Sequence, residues 1–139
     1  MAIEDTLREQ EQVLFANEAF YLAFAGGDMD GMSAIWSEEE DIACIHPGWE
    51  LLSGQEEVME SWRALLSNPP PVRVVSPSVF FRDEAAFVTC YEEIGGHYLL
   101  ATNIFFKQDG QWRMAHHHAA PTRGTPPKPS APDGGAVLN

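Results

Sequence analysis

Histidine is scarce in this chain, five residues in 139, and three of the five stand together as His116-His117-His118. Imidazole titrates near physiological pH, so these are the first residues to ask for proton transfer. The run is followed by 21 more residues and is not a terminal tag. On a strand, alternate side chains share a face, which groups Trp112, Met114, His116 and His118 against Arg113, Ala115, His117 and Ala119. The first group is the more apolar and is expected to look inward. There His116 and His118 would act as general base or as donors to a carbonyl, or would serve as hydrogen-bonded lining or interface residues. His117, on the other side, reads as structural. His46 ends a short strand just before Pro47-Gly48, on one face with Ile42 and Cys44, and with His116 it is the candidate for catalysis. The competing reading is a turn histidine bonded to local carbonyls. A metal triad of His46, His116 and His118 is sterically conceivable, but no carboxylate partner is identifiable and no metal is expected.

The carboxylates narrow the chemistry. Glu92 shares a strand face with Val88, Cys90 and Ile94, and Glu93 with Phe87, Thr89 and Tyr91, so one of the two must point inward. An acid in an apolar pocket becomes more basic and suits proton abstraction beside a carbonyl. Glu92 is the candidate ligand contact of the two; the competing reading is an exposed strand end near Gly95-Gly96, and Asp41 reads as solvated loop. Asn103, polar in mid-strand between Ala101 and Phe105, implies a satisfied hydrogen bond or a ligand contact. Tyr21, Trp36, Trp49, Trp62, Phe80, Phe105 and Phe106 read as core, with Tyr21, Trp36 and Trp62 the ones expected to wall a cavity. No GxGxxG, Walker loop, GxSxG elbow or HExxH stretch occurs, so dinucleotide, nucleotide, serine-hydrolase and zincin chemistry is not indicated and no cofactor is expected.

Eight basic residues against 21 acidic ones give a formal charge of −13, a field that repels phosphate backbones and anionic lipid. Nucleic acid and membrane are therefore not expected partners. The excess is confined to residues 1–68, with 15 acids and two bases, while 69–139 balance at six and six. Cys44 and Cys90, far apart and in no CxxC pattern, read as buried free thiols in a reducing cytoplasm. No signal-like or membrane-spanning run is visible.

The elements that must position these groups follow from period and punctuation. Thr6 and Glu9 have capping-box spacing for a helix that is apolar all round from Ala19 to Ala25 and ends at Gly26-Gly27. Asp28 caps a short second helix through Met32, Ile35 and Trp36. Asp41 to His46 reads as a strand, with Trp49 to Leu52 as its return. Ser53 and Glu56 repeat the capping box before a third helix carrying Val58, Met59, Trp62, Leu65 and Leu66, which Pro69-Pro70-Pro71 stops. The period then becomes two. Strands are predicted over residues 72–81, 85–94, 98–107 and 111–118, separated by Arg82-Asp83-Glu84, Gly95-Gly96 and Asp109-Gly110. The fold class is α+β, three N-terminal helices packed on a curved antiparallel sheet that forms a cone with a central pocket. Residues 1–120 would form this domain, and 121–139, with five prolines and three glycines, a tail.

The stretch FYLAFAGGDMDGMSAIWSEEEDIACIHPG, the helix start SGQEEVMESW and the terminal strand DGQWRMAHHHAAP resemble the cone-shaped superfamily of nuclear transport factor two, ketosteroid isomerase, scytalone dehydratase and the SnoaL-like polyketide cyclases. The likeness covers residues 6–120 and is greatest to the SnoaL-like, ketosteroid-isomerase-like branch. It implies a small-molecule pocket with cofactor-independent isomerase, cyclase, dehydratase or hydrolase activity on a small apolar substrate, or else a non-catalytic association module. It also implies a homodimer paired through the open sheet face, with the His-Pro-Gly segment at the cavity mouth. In the isomerase members a carboxylate works with a phenol and a second acid, and no matching set is visible here.

Overall fold

The computed structural model describes residues 3–128. Helix α1 spans Ile3–Gly26, α2 Met29–Ile35 and α3 Gln55–Leu66; the strands are β1 Ala43–Ile45, β2 Leu52–Ser53, β3 Arg73–Arg82, β4 Ala85–Ile94, β5 His97–Gln108 and β6 Gln111–Pro121. All six strands join one curved sheet in the order β2-β1-β6-β5-β4-β3. Every pairing is antiparallel except β1 with β6, which is parallel and sets Cys44 opposite His117. The helices cover one face. Among the described residues no helix is long and apolar enough to cross a membrane.

Helix α1 buries Val13, Asn17, Phe20, Tyr21 and Phe24, a stripe at the 3.6-residue period, and Asn17 is the one polar member. The all-round burial expected near its end does not occur, since Leu22 stays 65% exposed on the outward side. Thr6 lies inside the helix, which already runs from Ile3. The helix ends in a Schellman-type turn, with the Asp28 N–H donating to Ala23 O at 2.9 Å and Gly27 at φ 65°. A Cβ on Gly27 would lie 3.0 Å from Leu66 O, so the packing of α1 against the end of α3 requires glycine there as well. Asp28 caps α2 as expected, accepting from Gly31 N. Before α3 the cap is Gly54 rather than Ser53; Glu57 Oε1 instead accepts from the Ser53 N–H at 3.0 Å.

The inward side of the sheet presents Val88, Cys90 and Glu92 from β4, Ala101, Asn103 and Phe105 from β5, and Met114, His117 and Ala119 from β6, all buried. These pack with Phe20, Phe24 and Met32, and with Trp62 of α3, in one core. The last strand holds the structural surprise. Phe105 pairs with Met114 but Ile104 pairs with His116, so Ala115 is an extra residue, a β-bulge. Strict alternation fails there, and Met114 and His117 share the inner face although three residues apart. Of the tail expected from residue 121, Pro121 completes β6 and Gly124 approaches the Tyr91 ring on the outer face, while residues 129–139 lie outside the described part.

Candidate functional site

The bulge corrects the expected facing of the histidine run. His117 is buried at 1% exposure on the inner face, whereas His116 and His118 stand together on the outer face with their rings 6.3 Å apart. His46 follows β1 on the inner side and is also buried, 2% exposed. His116 and His118 therefore do not wall the pocket, and the conceived triad with His46 does not converge because the sheet lies between them. For Glu92 it is the competing reading that fails. It is not at a solvated strand end but buried, and its Oε2 accepts from the Tyr21 hydroxyl at 2.7 Å. A phenol–carboxylate pair thus exists that linear spacing hid, 71 residues apart.

Five side chains from four elements form one hydrogen-bonded chain. Tyr21 donates to Glu92, so its oxygen accepts from Asn103 Nδ2 at 3.2 Å; the other Nδ2 hydrogen goes to Asn17 Oδ1 at 2.9 Å. That orientation turns Asn103 Oδ1 to His117 Nδ1, 2.6 Å away, which must carry the proton. Asn103 therefore meets the hydrogen-bonding half of its expectation and fixes the His117 tautomer. The free lone pair of His117 lies on Nε2, 3.7 Å from Glu92 Oε2. A parallel device holds His46. Ser61 spends its single hydrogen on Val58 O at 2.7 Å, so at 2.9 Å it accepts from His46 Nε2–H and leaves Nδ1 as the acceptor. Phe20 and Trp62 press against the His117 ring, and Trp62 meets His46 edge-on at 4.7 Å.

Burial sets the electrostatics. Desolvation pushes the Glu92 carboxyl up to about 7, opposed by the Tyr21 hydrogen bond. Burial alone pulls His46 down to about 4, and burial first, then the neighbouring imidazoles, pulls His117 well below its ordinary range. Though His117 and Glu92 approach as an ion pair would, desolvation opposes charge on both, and the neutral imidazole beside a carboxyl titrating near neutrality is the state that burial favours. The Tyr21 phenol is raised by burial and then by Glu92, and burial lifts the Cys44 and Cys90 thiols, so none of these three ionises near pH 7.

A cleft of about 230 Å³ opens over this cluster at the mouth of the cone, lined among others by Phe24, His46, Trp49, Leu65, Glu92 and His117. His46 and Glu92 are thus cleft residues. Tyr21, Asn103 and Trp62 sit behind the lining, and Trp36 is a core residue bridged to Met114 on β6. The lining residues that sequence reasoning missed include His117, whose facing depends on one extra residue upstream, Phe24, and Trp49, which reads as core from the sequence. Among the described residues no three metal-ligating side chains cluster.

A curved sheet wrapped on three helices, with a buried, hydrogen-bonded polar cluster beneath the cleft, defines a cone-shaped domain of the α+β class. A model for the SnoaL-like domain matches residues 13–123, and the chain belongs to that family. It is 29% identical over 112 residues to the F-box protein SKIP8 of Arabidopsis thaliana, covering 78% of this chain and 48% of that protein, so the chain spans about half the length of the curated relative it matches. Among solved structures, a candidate dehydratase of the NTF2-like family from Streptomyces avermitilis superposes with TM-score 0.74 at 31% identity, covering 82% of this chain and 96% of that one. A candidate calcium/calmodulin-dependent protein kinase type II association domain from Thiobacillus denitrificans gives TM-score 0.68 at 31% identity, covering 78% and 93%.

Proposed function

We propose that this domain binds a small organic molecule in the cleft and moves a proton on it, with Glu92 taking and returning the proton and His117 as its neighbour in the relay. The observation that carries this reading is the buried Glu92 carboxyl, lining the cleft, held by Tyr21 at 2.7 Å and titrating near neutrality. A group poised near the working pH can act as base in one half of a reaction and as acid in the other. Isomerisation, cyclisation and dehydration all need that exchange, and the likeness to a candidate dehydratase supports the class. Hydrolysis is less well supported, since no nucleophile faces the cleft: Ser61 gives its proton to a backbone carbonyl. A fragment screen read by NMR tests the site. Binders are expected to move the ring signals of His46 and His117, and among binders with acidic C–H groups, exchange in deuterated water should fall at least ~100-fold in Glu92→Gln. Hits that perturb only residues remote from the cleft, or exchange untouched by the substitution, would refute it.

A second property has its own support. The outer sheet face carries Phe80 stacked on Phe87 at 4.8 Å, with Leu100 and Phe106 each 42% exposed, and pairing of two copies over this face would bury them. The resemblance to an association domain agrees with that use. His116 and His118 stand on the same face and would belong to the interface rather than to the pocket. Native mass spectrometry is expected to find a dimer.

A further inference from the structure

The inventory of hydrogens around the cleft says more about its ligand than its volume does. His46 has committed its Nε2–H to Ser61, and His117 its Nδ1–H to Asn103, so each is left with an acceptor nitrogen, Nδ1 of His46 with the Cys44 thiol 3.9 Å away and Nε2 of His117 beside Glu92. Glu92 adds a carboxyl. Among the described residues no lysine, arginine, serine, threonine or tyrosine lines the cleft, and the single indole N–H of that lining belongs to Trp49, which is 44% exposed. The Trp62 indole N–H is enclosed behind the lining and meets no partner. The cleft therefore offers acceptors and aromatic faces but almost nothing to steady a developing oxyanion or to hold an anionic ligand. Its host carries a formal charge of −13, which opposes anions at longer range as well.

We propose that the cleft takes a small molecule whose polar end is a cationic nitrogen, a primary ammonium or a protonated imine, seated between Glu92, His117 Nε2 and the rings of Phe24 and Trp49. This rests on the reading of the cleft as the ligand site. An ammonium brings donors that satisfy both acceptors, and aromatic faces attract it further. A volume of about 230 Å³ corresponds to roughly eight waters, room for a group of about six heavy atoms. Of the two cations, the protonated imine also supplies the electron sink that the protein lacks. When Glu92 removes a C–H proton next to a protonated imine, the bonding pair becomes the C=C bond of an enamine, the nitrogen loses its positive charge, and the carboxylate is neutralised as it takes the proton. Charge disappears inside an apolar site, which is the direction burial favours.

The groups facing Glu92 are Tyr21 from α1, Cys90 on its own strand, Asn103 from β5, His117 from β6 and Cys44 with His46 from β1. With His46 at about 4, Cys90 at about 11, His117 below its ordinary range and Tyr21 and Cys44 above theirs, Glu92 is the member of this set that changes charge between pH 6 and 8. Cation binding should thus weaken by about tenfold per pH unit below 7, because a proton must leave first.

Titration of the whole chain at pH 7.5 with isopentylammonium, isopentanol and isovalerate, followed by the histidine-ring NMR signals, tests the proposal. The ammonium is expected to bind at least roughly tenfold more tightly than the alcohol, and isovalerate not measurably. Glu92→Gln should erase the ammonium's advantage over the alcohol, and Trp49→Leu, at an exposed rim position where folding is not at stake, should reduce that advantage. If alcohol or isovalerate binds in the cleft as tightly as the ammonium, the charge class is wrong while the ligand site stands. An advantage that survives both substitutions also overturns the assignment to this cleft, and if none of the three compounds moves the His46 and His117 rings, the proposal falls together with the ligand-site reading.

Discussion

Phe105 and Phe106 are neighbours in β5, yet the first is fully buried and the second 42% exposed, and the two faces of the sheet differ along its whole width as these two residues do. The inner face mixes small apolar residues, Ala86, Val88 and Ala101, with polar ones, Asn103, Glu92 and His117, every one of them nearly inaccessible. The outer face also carries large apolar groups, Phe80, Phe87, Leu100 and Phe106, but leaves them partly uncovered, while Phe105 and Met114 of the inner face are fully buried. The inside tolerates these polar groups because the α1 stripe supplies Asn17 and Tyr21 at the positions facing Asn103 and Glu92, so the Asn103 amide and the Tyr21 hydroxyl find acceptors there. The contrast is what supports the two proposals, a ligand site on the inner face and association of two copies over the outer one.

The strongest test of that contrast is the phenylalanine pair itself. Phe105→Ala should cost about 3–5 kcal/mol of folding stability, the range for a fully buried aromatic, whereas Phe106→Ala should cost under about 1 kcal/mol per chain, as read by urea unfolding at low protein concentration. Equal losses would mean that the faces are not distinct. Next in size is the pH dependence of the inner cluster. The Glu92 carboxyl, at about 7 when folded against 4.5 ordinarily, holds its proton more tightly in the native state, so its contribution to stability falls as pH rises from about 4.5 to 7. The full span is on the order of 3 kcal/mol at ~1.4 kcal/mol per unit. His46, at about 4 against 6.5, acts with the opposite sign, its stability being lost as pH falls from about 6.5 to 4. The two offset each other across the shared window. Glu92→Gln should unmask the histidine slope, making the variant gain stability relative to the native chain as pH rises from 4.5 to 7.5; matching pH profiles would rule out a buried carboxyl. A smaller effect is expected at the outer edge of the cluster. Ser61→Ala leaves His46 Nε2–H without its acceptor, costing about 1–2 kcal/mol, and frees the tautomer, which nitrogen chemical shifts report directly.

How much of this was legible beforehand depended on whether the information was local. Turn chemistry at Gly95-Gly96 and Asp109-Gly110, and the period-two runs around them, were enough to outline β3 to β6 to within a few residues, β4 without error. The resemblance supplied the cone. The site was legible only in part. His46 could be named because Pro47-Gly48 marks a strand end, and Glu92 could be named as a ligand contact, although the glycine pair that begins three residues later left an exposed strand end as the competing reading. Neither its Tyr21 partner nor the Asn103 link is local, since each joins elements more than 70 residues apart in the chain. The histidine assignment failed for a definite reason. Parity counting assumes no bulge, and the extra residue at Ala115 shifts all that follows by one, so that His117 goes in where His116 and His118 had been expected. No residue near 115 announces it, as alanine is common in regular strands.

The outer face offers the test with the least effect on the fold and the greatest on assembly. Leu100 pairs with Tyr91 on one side and Ala120 on the other, in the middle of the exposed surface, and its side chain makes no part of the core. Leu100→Asp should leave urea stability of the single chain within about 0.5 kcal/mol, because the new carboxylate stays in water. If two copies meet over this face, the same carboxylate is desolvated twice across a symmetric interface without a partner, and association should weaken by at least ~100-fold, seen in native mass spectrometry as a shift from pairs to single chains. Loss of pairing with intact His46 and His117 ring signals would separate the two faces functionally as well as structurally. Pairing that survives would move the interface elsewhere and leave the half-exposed aromatic surface for a different partner.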